Sequence, residues 1–286
     1  MAGRKVETEE HMGFSEHRCG ELLFHTSSVL KDKTIAHGFS TRLGGVSIGD
    51  FASLNLRGSG VTPDHPEQVE ENYRRFCNAL GVDVSKVVLA GQVHQDTVRH
   101  VTAADAGKGL FVQRDYTADA LVTNESELNL MVFSADCGIF LLHDPVSRCV
   151  GAVHAGWRGT ALGLPSKAVA EMGRLFGAKP ENIRVAVGAG IGPCCFETDD
   201  DVPQAMREAF GAAVEQFIKP MGQKWSVDLL QINLWRLRET GILTKHLDGM
   251  NVCTACHPEL YWSHRKTGDR RGVQGALIGL KGDSGR

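Results

Sequence analysis

Two histidines and one cysteine, each at the end of a short apolar segment, are the residues whose types most suggest chemistry. They are His94 in Gly-Gln-Val-His-Gln, Cys137 in Ser-Ala-Asp-Cys-Gly and His154 in Ala-Val-His-Ala-Gly. Strand ends are where open α/β sheets place ligand-binding groups, and two imidazoles with one thiolate form a catalytic zinc site with one open position. The spacings of 43 and 17 residues make no local motif. The residues alone are therefore also consistent with a region that binds no metal, in which the two histidines are hydrogen-bonded and the thiol is buried.

The segment after His154 has the composition of an anion-binding turn. It reads Ala-Gly-Trp-Arg-Gly-Thr, so an apolar strand runs into two glycines and the start of a helix. Backbone amides at such a turn can approach an anion closely, and Arg158 adds a planar donor fork suited to phosphate or carboxylate. The alternative is a tight connection whose arginine faces solvent. The Walker A and dinucleotide patterns are both absent from the sequence.

Cys253-Thr-Ala-Cys256-His257 matches the pattern for c-type haem attachment. Covalent haem is not expected, because that attachment belongs to exported chains and the N-terminal residues show no apolar export signal. A four-thiolate zinc site would need a second cysteine pair, for which Cys194-Cys195 is the only adjacent supplement. The sequence favours reduced, partly buried thiols.

Two other metalloenzyme classes fail on their patterns. A zinc nucleobase deaminase needs H-x-E followed by P-C-x-x-C, and Pro193-Cys194 is followed by Glu197 where the second cysteine should stand. A multicopper oxidase is expected to have closely spaced histidine pairs, and the sequence has no H-x-H.

The elements that must position these residues alternate between short apolar strands and amphipathic helices, which predicts an α/β or α+β fold with a mixed sheet. The clearest helix is expected over 66–80, with an apolar face of period 3.6 and a stop at Gly81. Further helices are expected near 161–176, 199–210 and 227–240. With no linker or repeat in view, we expect a polar N-terminal arm over 1–20 and a single catalytic domain over 21–286.

Composition limits the partners. The chain has 286 residues, a net charge of −3 and 42% hydrophobic residues, which gives no basic footprint for nucleic acid. The longest apolar run falls short of the roughly 18 residues that a membrane helix needs. We expect a cytoplasmic protein with no nucleic-acid or membrane partner, and eight cysteines that are reduced rather than paired.

Several motifs taken together resemble the laccase-domain family, known as polyphenol oxidase, purine nucleoside phosphorylase and peptidoglycan editing factor. The matching stretches are HGFSTRLGGVS from His37, SLNL from Ser53, QVHQ from Gln92, DALVT from Asp119, ADC from Ala135, HAGWRG from His154, GPCC from Gly192 and CTAC from Cys253.

The resemblance implies a layered α/β/β/α fold with mixed sheets, like that of the cytotoxic necrotizing factor catalytic domain. It implies zinc, with copper as the less favoured metal, on His94, Cys137 and His154. It also implies phosphorolysis of adenosine, inosine, guanosine and methylthioadenosine, together with adenosine deamination. Cys137, His154 and Asp136 are the candidate catalytic residues, and Asp136 could equally be a turn residue at a strand end. Substrate or phosphate is expected on five residues: Arg42, Asn55, Gln92, Arg158 and Arg265.

Two other activities stay open for this family. One is hydrolysis of an amide in a cell-wall precursor, with Cys137 as nucleophile and His154 as base. The other is copper-dependent oxidation of phenols. A monomer or weak homo-oligomer is expected.

The sequence departs from the family near its C-terminal end, where Val273 stands in place of an expected arginine. Arg270 or Arg271 is the candidate replacement if that arginine contacts substrate.

Overall fold

Two β-sheets stacked face to face form the centre of the molecule. The computed structural model describes residues 8–11, 13–57 and 64–282. The strands in these ranges are β1 Thr8–His11, β2 Phe14–Cys19, β3 Leu22–Ser27, β4 Ile35–Ser40, β5 Val87–Leu89, β6 Val98–His100, β7 Ala120–Thr123, β8 Asn129–Ser134, β9 Gly138–Asp144, β10 Cys149–Ala155, β11 Arg184–Val187, β12 Glu197–Thr198, β13 Ile218–Met221, β14 Lys224–Val227, β15 Leu247–Gly249 and β16 Gln274–Leu280.

Both large sheets are mixed. The first has the order β1-β2-β3-β4-β16-β8-β5 and the second β15-β11-β9-β10-β7-β6. Neighbours are mostly antiparallel, but β5 runs parallel to β8, β6 to β7 and β11 to β15. A small antiparallel sheet, β12-β14-β13, stands apart from them. Strand β10 packs across β8 and β16, so the two large sheets bury their facing surfaces against each other.

Helices cover the outer faces. They are α1 Pro66–Leu80, α2 Trp157–Ala161, α3 Leu164–Phe176, α4 Asp201–Phe210, α5 Leu229–Glu239 and α6 His264–Thr267. Helix α1 forms where the sequence predicts it: Pro66 fits the first turn, and Gly81 ends the helix in the left-handed region at φ 68°. Its buried face, which includes Tyr73 and Phe76, packs on the larger sheet. Helices α3 and α5 pack on the smaller sheet.

This stacking gives a core between the sheets and one under the helices on each side, so the predicted layered α/β architecture with mixed sheets is confirmed. The likeness to the cytotoxic necrotizing factor domain stays a prediction. No helix in the described part of the chain is both long and apolar enough to cross a bilayer.

Two segments differ in detail from the sequence expectation. Within the polar arm expected over 1–20, β1 and β2 extend the larger sheet and Phe14 is buried against Phe39; residues 1–7 and 12 lie outside the described residues. The helix expected over 161–176 begins at Leu164 as α3, because Gly163 adopts a left-handed φ of 69° and separates it from the short preceding helix α2.

Candidate metal centre

His94, Cys137 and His154 converge at one edge of the stacked sheets. His94 lies in the loop between β5 and β6, Cys137 in the turn between β8 and β9, and His154 near the end of β10. Strands β9 and β10 are paired so that His154 lies opposite Ile139, two residues beyond Cys137. One ligand atom from each of the three residues lies within 4.8 Å of the others. The predicted triad is therefore brought together by two connections and the end of one strand.

Asp119 orders two of the three side chains. Its Oδ1 accepts hydrogen bonds from Nδ1 of His154 at 2.9 Å and from the backbone N–H of His94 at 3.0 Å. Its Oδ2 accepts from the backbone N–H groups of Val93 and Gln95. This cradle holds the loop with His94 at a left-handed φ of 61°, a conformation that is rare outside glycine. A carboxylate behind a histidine ligand is the usual support of a protein metal site, since it fixes the ring and its tautomer.

The charges of the site favour a thiolate. Burial alone would raise the pKa of Cys137, but the neighbouring His154 and hydrogen bonds from His154 and His94 lower it to about 6. Burial would lower the pKa of His154, but the Cys137 thiolate and Asp119 raise it to about 9. Burial would likewise raise the pKa of Asp119, and its hydrogen bonds lower it. The sulfur is thus available as an anion at neutral pH, which suits a divalent metal.

The triad opens into a cavity of about 430 Å³ with an arginine-bearing wall. His94, Cys137 and His154 lie in its lining with Gln92, and the cationic wall is formed by Arg57, Arg114 and Arg271. A pocket of this volume is within the range that binds small molecules. The arrangement can hold an anionic group beside a metal-bound reactant.

Arg271 is the most enclosed of these cations. Burial lowers its pKa, and its Nε has no hydrogen-bond partner among the described residues. Its Nη1 donates to the carbonyl of Gly272. A buried donor without a partner is costly, and an anion in the cavity would satisfy it. Val273 also lies in the lining. Arg271 therefore places a guanidinium in the same cavity wall as Val273, where the family resemblance predicts an arginine.

Two of the predicted binding residues form side-chain hydrogen bonds with the backbone of the cavity wall. Gln92 lies in the lining, and its carboxamide exchanges two hydrogen bonds with the backbone of Phe133. Asn55 is fully buried; its Oδ1 accepts from the N–H groups of Arg57 and Val273. Asn55 therefore positions the wall, and its side-chain contacts are with protein groups.

Three residues predicted to bind substrate or phosphate are not among the described residues that line this cavity, namely Arg42, Arg158 and Arg265. Arg42 donates to the carbonyls of Ala52 and Pro258 and stacks over Trp262. Arg158 lies over the ring of its neighbour, Trp157. Arg265 donates to the carbonyls of Cys195 and Glu197. In each case the guanidinium contacts these protein groups.

Asp136 is a structural neighbour of the triad. Its carboxylate accepts hydrogen bonds from Thr254 Oγ1 at 2.6 Å and from the N–H of Arg265 at 2.7 Å, and its carbonyl accepts from the N–H of Ile191. These contacts fit the turn-residue alternative and hold the backbone that leads into Cys137.

Three residues of the site were not predicted from the sequence: Asp119 and two arginines of the cationic wall, Arg57 and Arg114. The signal for Asp119 was an acidic residue at the start of the apolar run Ala120–Thr123, where a charge has to be paired once it is buried. No comparable signal marks the two arginines, because nothing in their local sequence says which way they point.

The donor set fits one metal ion with an open position, since two imidazoles and one thiolate leave a fourth tetrahedral site. A set of several copper ions fits poorly. In the described ranges, the only other group able to hold a metal consists of cysteines alone.

Comparison with known proteins gives one family. A family model described as multi-copper polyphenol oxidoreductase laccase matches residues 36–281. Purine nucleoside phosphorylase YlmD of Bacillus subtilis is 30% identical over 256 residues, covering 87% of this chain and 90% of that protein. Purine nucleoside phosphorylase LACC1 of Homo sapiens is 32% identical over 92% of this chain, which spans 59% of the human protein's length. The crystal structure of the Bacillus licheniformis hypothetical protein YfiH superposes with a TM-score of 0.85 at 31% identity, covering 92% of this chain and 97% of that one.

Proposed function

The chain belongs to the multi-copper polyphenol oxidoreductase laccase family, and from this premise we propose that it is a zinc-dependent purine nucleoside phosphorylase that also deaminates adenosine. The observation that carries the proposal is the open triad of His94, Cys137 and His154 beside a cavity lined by three arginines. The names of the relatives support the phosphorylase activity.

In phosphorolysis a phosphate oxygen bonds to the anomeric carbon of the ribose as the bond to the purine nitrogen breaks. The electron pair stays on the purine, which takes up a proton, and the products are the free base and ribose 1-phosphate. Such a reaction depends mainly on positioning and on stabilisation of charge. The expected substrates are adenosine, inosine, guanosine and methylthioadenosine.

Different residues of the protein bind the phosphate, orient the His154 ring and would hold the metal. Arg271, with its unpaired Nε, binds phosphate together with Arg57 and Arg114, because guanidinium groups match phosphate oxygens in geometry and charge. Asp119 holds the His154 ring with Nε2 towards the cavity. The triad would hold zinc, which when bound supplies a Lewis acid at the floor of the cavity.

The proposal is tested by product analysis after incubation with adenosine and phosphate. Free adenine together with ribose 1-phosphate shows phosphorolysis, and inosine shows deamination. Activity and zinc should disappear together in Cys137→Ala, whereas the matched control Cys149→Ala, which changes a buried thiol of β10, should keep both. The proposal is contradicted if zinc-loaded protein forms no free adenine or forms no inosine. It is also contradicted if Cys137→Ala keeps full activity.

One observation favours a second candidate. Cys137, His154 and Asp119 are connected in the order thiol, imidazole, carboxylate, which is also the arrangement of a cysteine hydrolase. The substrate would be an amide of a cell-wall precursor. Chelation of the metal should then leave activity intact while alkylation of Cys137 abolishes it, whereas the phosphorylase should lose activity under both treatments.

A further inference from the structure

Four cysteines from two distant segments meet on the surface beside the catalytic region. Cys194 and Cys195 lie in the loop that follows β11, and Cys253 and Cys256 lie in the segment that follows β15. One sulfur atom from each lies within 4.8 Å of the other three. All four are free thiols. The sequence contains a single Cys-x-x-Cys pair, and the fold brings the adjacent pair Cys194-Cys195 to it.

The separations match a single tetrahedral ion. The sulfurs of Cys194 and Cys256 are 3.6 Å apart, and those of Cys195 and Cys256 are 3.4 Å apart. A zinc ion about 2.3 Å from each of four tetrahedral sulfurs places those sulfurs about 3.8 Å apart. An iron–sulfur cluster binds its thiolates through different irons and would hold them further apart. The observed group therefore fits one ion with an all-sulfur shell, for which zinc is the usual choice.

The backbone around the sulfurs is arranged as in a metal-binding turn. The N–H groups of Cys256 and His257 both point to the carbonyl of Cys253, which closes the turn between the two thiols. In the other segment, the N–H of Cys195 bonds to the carbonyl of Gly192 and turns the adjacent pair towards the same point.

A cation stands next to the cluster. The Arg265 guanidinium donates to the carbonyls of Cys195 and Glu197 at 2.8 and 2.9 Å. Four thiolates around a divalent ion carry a net charge of −2, which a neighbouring guanidinium partly balances.

We propose that Cys194, Cys195, Cys253 and Cys256 hold a structural zinc ion, separate from the catalytic triad. The ion fastens the loop after β11 to the segment after β15. These segments are otherwise joined by the isolated bridge between Gly190 and Cys253 and its neighbouring backbone bonds. Thr254, between the thiols, donates to Asp136 beside Cys137. The zinc therefore stabilises the wall against which the catalytic turn is built.

The test is the zinc content of the whole chain, purified without chelator and measured by mass spectrometry of the metal. Wild-type protein should carry one zinc for each of the two groups. The double variant Cys253→Ser/Cys256→Ser should lose one and keep the triad's ion, Cys137→Ser should lose the other, and the control Cys19→Ser, at an exposed thiol of β2, should lose neither. A double variant with unchanged zinc content overturns the proposal.

A second measurement needs no variant and covers the case in which the double variant does not fold. Zinc should protect the exposed thiols of Cys194 and Cys256 from iodoacetamide, and a chelator should restore their reaction, as counted by peptide mass spectrometry. Cobalt(II) in place of zinc should give the intense visible absorption of a tetrahedral thiolate site. Equal alkylation with and without zinc overturns the proposal, as does a disulfide among the four cysteines in zinc-treated protein.

Discussion

The Asp119 carboxylate accepts a hydrogen bond from Nδ1 of His154 at 2.9 Å, and this bond decides which nitrogen of His154 can bind a metal. A carboxylate has no proton to donate, so Nδ1 carries the hydrogen and Nε2 is left as the ligand atom. The same oxygen accepts from the backbone of His94. One buried residue therefore sets the direction of two ligands, although it is not itself a ligand.

We predict that Asp119→Asn lowers the affinity for zinc by about 10- to 100-fold, the usual cost of losing the group behind a histidine ligand. The measurement is a competition titration with a chromophoric chelator. The control is Asp144→Asn, because Asp144 is equally buried and bonded to backbone N–H groups at the far end of β9. Unchanged zinc affinity in Asp119→Asn, or an equal loss in both variants, would contradict the positioning role.

Arg271→Met should raise the KM for phosphate by about 10- to 100-fold, the value of a charged hydrogen bond to a buried anion. The KM for adenosine should change much less. Initial rates at varied phosphate, with saturating adenosine, give the comparison. Arg158→Met is the matched control, since its guanidinium lies over Trp157 and outside the cavity lining. If Arg158→Met raises the KM for phosphate as much as Arg271→Met does, the phosphate site lies at the turn after His154 instead.

Gly156→Ala should weaken metal binding without unfolding the protein. Gly156 has an ordinary φ of −76°, but a Cβ there would lie 2.8 Å from the sulfur of Cys137 and 3.6 Å from Cδ2 of His94. We expect a loss of zinc affinity of about tenfold or more, because a ligand set must be held within a fraction of an ångström.

Zinc titration together with thermal unfolding checks this. Gly159→Ala, one turn into α2, meets only ordinary contacts and should retain wild-type zinc affinity. If Gly156→Ala binds zinc as wild type does, the packing around Cys137 is looser than the structure has it.

Acid should destabilise the fold through His143. Burial lowers the pKa of His143 from 6.5 to about 4; Asp32 and Asp144 oppose the shift, and Arg184 adds to it. Neither ring nitrogen has a partner among the described residues. Between these two pKa values, His143 is protonated in the unfolded chain and neutral in the native state. The stability that this residue contributes is therefore present above pH 6.5 and is lost as the pH falls.

The loss from His143 should amount to about 2 kcal/mol between pH 7 and pH 5. Urea unfolding at both pH values should show a smaller difference for His143→Leu than for wild type. His65→Leu, at an exposed histidine before α1, should leave the difference as it is. An equal pH dependence in wild type and His143→Leu would rule out this source of acid sensitivity.

The sequence by itself determined the mixed-sheet fold class and the candidate ligand types. Alternating apolar strands and amphipathic helices are local patterns, and they sufficed for that class and for the bounds of α1, whereas the layered arrangement was implied by the resemblance to the family. His94, Cys137 and His154 could be selected because each ends an apolar segment, and such ends gather at one edge of a sheet. The motifs of the family reinforced that choice.

Only the tertiary structure decided which charged and sulfur groups face one another. The guanidinium of Arg42 is held by the carbonyls of Ala52 and Pro258, the latter 216 residues along the chain, and Arg42 is not among the described residues that line the cavity. Cys194-Cys195 meets Cys253 and Cys256 only because β11 and β15 are paired. A long side chain points where packing and hydrogen bonds direct it, and those partners come from segments that no local pattern connects.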